Sequence, residues 1–294
     1  MENISRRTAI KTALVGGAAL AVSGLEAANP AKKKKAETKE PLKGNVRHSV
    51  SKWCFGDYPL EEFCGICKNI GIESIELLDP KDWPVVQKNG LTVAMCQGAG
   101  LGIDRGFNDP KLHDELVASY EAVIPQVAAA GLTNLICFSG KRNGLTDLQG
   151  CENCEKGLKR LMPLAEKHNV VLTMELLNSV GHKDYQCDHT VWGVELCRRV
   201  GSPNFKLLYD IYHMQIMEGN IIENIQKYHE YFSHIHTGGN PGRAEIDETQ
   251  ELYYPAIMKA LVETGYNGFV GQEFVPRQQD KIASLEKCIR ICDV

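Results

Sequence analysis

Four apolar runs in the second half of the chain each end in a side chain able to ligate a metal. These are Glu175 in T-M-E-L-L-N-S, Asp210 in Y-D-I-Y-H, His236 in H-I-H-T and Glu273 in G-Q-E-F. Taken singly, each has an ordinary explanation. An acidic residue at the end of a strand can cap the helix that follows, and a lone histidine there is commonly hydrogen-bonded and structural. Taken together, three converging carboxylates would repel one another unless a divalent cation neutralised them. A donor set rich in oxygen with one nitrogen suits Mn²⁺ first, then Mg²⁺ or Co²⁺, with Zn²⁺ also open. In Y-D-I-Y-H-M-Q-I-M-E-G-N (209–220), His213 follows Asp210 by three residues, and Glu218 reads as a helix-start acid without chemistry.

Such convergence needs a scaffold that brings four strand ends to one rim. From residue 45 the chain alternates short β-rich runs with longer amphipathic segments. The runs are 46–51, 72–77, 91–97, 132–138, 170–175, 205–210, 232–236 and 268–273, and helical stretches such as 109–130 lie between them. The turns N-I-G-I, A-G-L-T, K-H-N-V and T-G-Y-N-G place Gly or Asn where a helix hands over to a strand, the residues that best tolerate a left-handed cap. Strands alternating with helices mean a parallel sheet. Eight such units in about 250 residues predict a single-domain α/β (β/α)8 TIM barrel, whose chemistry collects at the C-terminal strand ends. An open doubly wound sheet is the alternative, disfavoured because no G-x-G-x-x-G follows the first strand.

Residues 45–294 resemble the xylose-isomerase-like barrels, and within them hydroxypyruvate isomerases and ketose 3-epimerases. The resemblance rests on Y-D-I-Y-H-M-Q-I-M-E-G-N, H-I-H-T-G-G-N-P-G-R and G-Y-N-G-F-V-G-Q-E-F-V-P and is strongest from residue 170. It implies that Glu175, Asp210, His236 and Glu273 hold one divalent metal, and that Glu175 and Glu273 also flank a carbohydrate substrate and exchange its proton. It further implies that His213 and Arg243 donate to substrate oxygens and that Glu251 matches an acidic substrate-side residue. The chain departs from the pattern in places. Hydroxypyruvate isomerases usually carry Gln where His236 stands. The loop L-L-N-S-V-G-H-K-D-Y lacks the acidic or arginine contacts of the epimerases, which leaves His182 or Lys183 as candidates to reach the substrate. The expected activity is a metal-dependent isomerase or epimerase working through an enediolate. The alternatives are an inosose-type dehydratase or lyase, and a sugar-binding barrel without catalysis.

A DNA-cutting relative in the same superfamily would need further histidines, but the second and third runs end in Glu76-Leu77-Leu78 and Gln97-Gly98. Charge argues the same way. Nine of the 33 basic and four of the 37 acidic residues fall in 1–44, so 45–294 carries 24 against 33, a formal −9 that disfavours a phosphate backbone. Residues 1–28 read as an export signal. Arg6-Arg7 precede an uncharged run at 12–24, 13 residues long, followed by small residues. The pair resembles a twin-arginine signal, which would deliver a folded protein to the periplasm. The run is shorter than the ~20 residues of a membrane span. Residues 29–44, with K-K-K-K at 32–35, read as a basic disordered linker. The eleven cysteines include C-G-I-C (64–67) and C-E-N-C (151–154), separated too far for one structural zinc site; the reading is buried free thiols. The sequence leaves the oligomeric state open, a homo-oligomer included.

Overall fold

The computed structural model describes residues 40–294. The export-signal reading of 1–28 and most of the linker reading of 29–44 lie outside the described residues. The first elements are β1 (Arg47–Ser51), α1 (Leu60–Ile70), β2 (Ser74–Glu76), α2 (Trp83–Lys88), α3 (His113–Ala129) and β3 (Asn134–Cys137). Next come α4 (Asp147–Lys159), α5 (Met162–His168), β4 (Val171–Glu175), α6 (Thr190–Val200) and β5 (Phe205–Asp210). The chain then runs through α7 (Ile211–Met217), α8 (Ile221–Tyr228), β6 (Phe232–Thr237), α9 (Tyr254–Glu263), β7 (Phe269–Gln272) and α10 (Lys281–Cys292). The folded unit begins at Pro41, ahead of the expected residue 45. Leu42 packs on the core, and the Lys43 amide donates to Asp293 Oδ1 at 2.8 Å, which ties this stretch to the C-terminus.

All strand pairs are parallel, in the order β2-β1-β7-β6-β5-β4-β3. Seven of the eight expected runs are strands. The eighth, 91–97, occupies the gap between β2 and β3 through isolated bridges: Thr92 to Ser74, and Cys96 to both Leu78 and Leu135. The local chemistry explains why no ladder forms there. The Ala94 amide donates to Ser74 Oγ at 2.8 Å and its carbonyl accepts from Asn134 Nδ2 at 2.9 Å. Side chains thus satisfy the groups that a continuous strand would spend on its neighbours.

Helices coat the outside because each presents one apolar face. In α1 the buried side chains are Phe63, Cys64, Cys67 and Ile70, at helical spacing. That helix stops at Gly71, whose φ of 95° lets its N–H reach the Cys67 and Lys68 carbonyls. Gly131, Asn169 and Gly265 also have positive φ, as their turns predicted. The eleven cysteines are all free and buried. No helix among the described residues is long and apolar enough to cross a membrane.

Inside the barrel, Met95, Ile136 and Leu208 form a small apolar cluster that Leu77 and Phe138 join. The rest of the interior is polar. Ser49, Ser51, Ser74, Glu76, His234 and His236 are all fully buried.

Candidate metal centre and substrate cavity

The four strand-end residues meet. Glu175 ends β4, Asp210 ends β5, His236 is the fifth residue of β6, and Glu273 lies one residue past β7. Their ligand atoms all lie within 4.8 Å of one another, and all four side chains are buried. His236 Nδ1 is 2.8 Å from Glu273 Oε2, 3.6 Å from Glu175 Oε1 and 3.9 Å from Asp210 Oδ2. Register makes this meeting automatic: Asp210 lies beside His236, and His236 beside Gly271, two residues before Glu273.

Burial is the largest influence on all three carboxylates and opposes their ionisation. It pushes Asp210 up to about 7, with Glu273 and Glu175 adding to the rise, and it raises Glu175 as well. Glu273 goes the other way. Burial is outweighed there by the charges of His236 and Arg243, with a hydrogen bond from Trp53, and its carboxyl is held well below the usual range. Arg243 Nη2 sits 2.5 Å from Glu273 Oε2 and 3.5 Å from Asp210 Oδ2. Trp53 Nε1 donates to Glu273 Oε1 at 2.7 Å.

The residues fit a divalent cation. Arg243 and His236 leave two of three buried carboxylates above their ordinary range, a deficit of positive charge. His236 Nδ1 is buried and, although close to Glu273, is out of hydrogen-bond alignment with every partner. Three carboxylate oxygens and one imidazole nitrogen form a donor set suited to a hard or borderline cation.

His213 begins its role as part of a cap, since its amide donates to Asp210 Oδ1 at 3.1 Å at the start of α7. Its Nδ1 accepts from the Asn178 amide at 3.2 Å, so the proton belongs on Nε2. Nε2 is buried, without a hydrogen-bond partner, 3.6 Å from Asp210 Oδ2. Burial, with Arg243 nearby, keeps this imidazole neutral by lowering its pKa well below the usual value. His182 packs edge-on against His213 at 5.3 Å between ring centroids.

A cavity of about 460 Å³ opens beside the cluster, lined by Glu175, Glu273, Arg243, His182 and Trp53. It is lined further by Leu77, Ile103, Ile136 and Phe138 with Asp79, Gln97, Gly98, Ala99, Gly100 and Gly102. The structure therefore gathers Glu175, Asp210, His236, Glu273, His213, Arg243 and His182 around one centre. It does not bring Glu251 there. That side chain is exposed on the outer surface, where Gln215 Nε2 donates to it at 3.2 Å. In the stretch between Arg243 and Glu251, Glu245 is buried, accepting from the Arg277 and Gln278 amides and from Ser284. Glu218, read as a helix-start acid, instead ties three elements, accepting from the Thr190 amide at 3.1 Å and from Asn224 Nδ2 at 3.2 Å.

Two residues at this centre escaped the sequence reading. Trp53 carried no pattern signal. Glu76 carried one: in I-E-S-I-E it shares the inward face with Ser74, and a carboxylate inside a barrel needs a partner.

Comparison with known proteins follows the same lines. The pattern described as xylose isomerase-like TIM barrel matches residues 65–291. Hydroxypyruvate isomerase of Escherichia coli is 28% identical over 234 residues, covering 76% of this chain and 90% of that protein. The 2-oxo-tetronate isomerase of Pectobacterium atrosepticum is 30% identical over 236 residues, covering 76% and 89%. A human putative hydroxypyruvate isomerase is 34% identical over 114 residues, so the match spans only 39% of this chain and 41% of that protein. Among solved structures, a family 2 AP endonuclease from Brucella melitensis superposes with a TM-score of 0.75 at 25% identity, covering 82% of this chain and 97% of that one.

Proposed function

The chain belongs to the xylose isomerase-like TIM barrel family, and from that premise we propose that it is a divalent-metal-dependent isomerase or epimerase of a ketose or related hydroxy-carbonyl compound. The observation that carries the reading is the pair Glu175 and Glu273, buried on one rim on either side of His236 and opening to the same cavity. The relatives matched over about nine-tenths of their own length are a hydroxypyruvate isomerase and a 2-oxo-tetronate isomerase, which favours this chemistry over strand cleavage of DNA.

The reaction needs a proton removed from a carbon next to a carbonyl, where it is barely acidic in water. Glu175, Asp210, His236 and Glu273 would hold the cation, whose charge lowers the energy of the enediolate developing on the substrate. One glutamate takes the proton as the C–H electron pair moves toward the carbonyl oxygen, and the other group returns a proton. Return to the neighbouring carbon, with the hydroxyl proton passing to the former carbonyl oxygen, isomerises; return to the opposite face of the same carbon epimerises. Trp53 and Arg243 fix the Glu273 carboxylate, and the His213 Nε2–H is directed at the centre as a donor to a substrate oxygen. His182 lines the cavity as a further contact. Residues 1–28 as a twin-arginine signal and 29–44 as a linker complete the proposal, with the enzyme acting in the periplasm on extracytoplasmic carbohydrate.

The test is solvent exchange. Wild-type protein with Mn²⁺ and candidate substrates in D₂O, hydroxypyruvate, 2-oxo-tetronate and free ketoses among them, is followed by NMR. Deuterium enters the substrate carbon in wild type and not in Glu273→Gln. Loss of a substrate hydroxyl as water would instead assign a dehydratase. Tight binding with no exchange for any compound would leave a sugar-binding barrel.

A further inference from the structure

Behind His236, on the side away from the carboxylate cluster, a second buried group is assembled. His236 Nε2 lies 2.7 Å from Glu76 Oε1, and His234 Nε2 lies 3.0 Å from the same carboxylate. Ser49 Oγ donates to Glu76 Oε2 at 2.5 Å, and Ser51 Oγ approaches Oε1 at 3.4 Å. All five side chains are fully buried. A carboxylate can only accept, so both imidazoles present Nε2–H to it. For His236 this leaves Nδ1 facing Glu175, Asp210 and Glu273, as the nitrogen a cation would take.

The topology shows how unusual the reach is. Glu76 is on β2 and His236 on β6, with β1 and β7 between them. The carboxylate must cross the inner faces of two strands. At the crossing level the residues are Ser49 on β1 and Gly271 on β7, which lie side by side, and Gly271 in turn lies beside His236. A Cβ at position 271 would fall 2.2 Å from Glu76 Oε1 and 3.0 Å from His236 Cδ2. Gly271 is therefore the opening through which Glu76 reaches the imidazole, and Ser49 is the small donor that steadies it on the way.

We propose that Glu76 is a positioning residue which, through the opening at Gly271, locks His236 with its proton on Nε2 so that the imidazole ligates the cation through Nδ1. This rests on the metal reading above and names a part of it outside the four ligands. A carboxylate behind a ligating histidine fixes its tautomer and orientation and raises its basicity. The His234 side of the group is not a second cation site in this geometry. The nitrogen-to-oxygen distances are those of direct hydrogen bonds, which leave no space for an ion between the partners.

The test uses the full chain, with Mn²⁺ binding read by electron paramagnetic resonance and imidazole protons read by NMR. Glu76→Gln keeps the volume but removes the negative charge that both imidazoles face through Oε1 and turns the oxygen bound by Ser49 into an NH₂ donor. It should weaken Mn²⁺ binding by about 10- to 100-fold, and the low-field His236 Nε2–H resonance of the wild type should shift or vanish. Gly271→Ala alters no polar group, and where it folds it should reproduce both effects. Wild-type affinity and an unchanged Nε2–H resonance in folded Glu76→Gln overturn the proposal, as does a Zn²⁺-loaded protein whose ion sits on Nε2. Binding of two Mn²⁺ ions, one lost in His234→Gln, overturns it too. A wild type that binds no divalent cation refutes the metal reading itself; the Glu76 contact then stands or falls on the Nε2–H resonance of the metal-free protein.

Discussion

Glu273 is held from three directions: Trp53 Nε1 on one oxygen, Arg243 on the other, and His236 beside it. Arg243 in turn lies over the Trp53 ring, 5.2 Å from its centroid. A carboxylate that must meet a substrate carbon needs this restraint, because a small misplacement is expensive in rate. A hydrogen bond to a charged group contributes ~1.5–3 kcal/mol when buried, and Trp53 is half-exposed, which puts it at the low end. Trp53→Phe should therefore slow deuterium exchange into substrate about tenfold, since ~1.4 kcal/mol is a factor of ten. The melting temperature should fall by no more than roughly 3–6 °C, and exchange at the wild-type rate would dismiss the restraint. The four rim residues were legible because each sits at or beside the end of a strongly patterned run. Trp53 was not, because its contact with Glu273 spans 220 positions of sequence and no local pattern records it. Glu251 lies away from the centre for the converse reason: a motif fixes residue type, while the fold leaves this side chain exposed and paired with Gln215.

At the scale of elements, the strands with clear apolar runs were read to within two residues at either end, and β5 over its full length. The 91–97 run failed as a strand because Ser74 and Asn134 on its neighbours take over its backbone groups, a tertiary event invisible in its own residues. β1 carries a further consequence. His48 alternates with the inward Ser49, is almost wholly buried, and has no hydrogen-bond partner on either ring nitrogen. Burial lowers its pKa to about 4, with the nearby charges of Asp293 and Arg290 acting in opposite directions. The unfolded chain takes up this proton near pH 6.5, whereas the folded protein resists until about pH 4. Between those values the unfolded state binds more protons, so acidification through that window removes stability that is fully present above it. The shift corresponds to about 3 kcal/mol as an order of magnitude. Urea denaturation at pH 7 and pH 4.5 should show a larger loss in wild type than in His48→Leu, the remainder coming from groups such as His213 whose pKa burial also lowers. Parallel losses in the two proteins would remove His48 from the acid limb.

At the scale of the molecule, the barrel converts four separate strand ends into one electrostatic problem. Glu175, Asp210, His236 and Glu273 come from four successive strands, β4 to the end of β7, so whatever balances their charge also fastens more than half of the sheet. Burial leaves Asp210 and Glu175 short of compensation even with Arg243 and His236 beside them. A cation that binds this arrangement has little affinity for the unfolded chain, where the four residues are spread over about a hundred positions. Its binding energy is therefore folding energy. At a concentration 100 times Kd, one site contributes about 2.7 kcal/mol. For a domain of this size ~1 kcal/mol moves Tm by 2–4 °C, so saturating Mn²⁺ should raise Tm by roughly 5–10 °C over protein stripped with EDTA. The rise should disappear in Asp210→Asn, which removes a ligand charge while keeping the shape, and should survive in Glu251→Gln, which lies on the outer surface. An identical Tm with Mn²⁺ and with EDTA would mean that Arg243 and His236 are the whole answer to the buried charge, and the strand ends would then be a structural ion network rather than a metal centre.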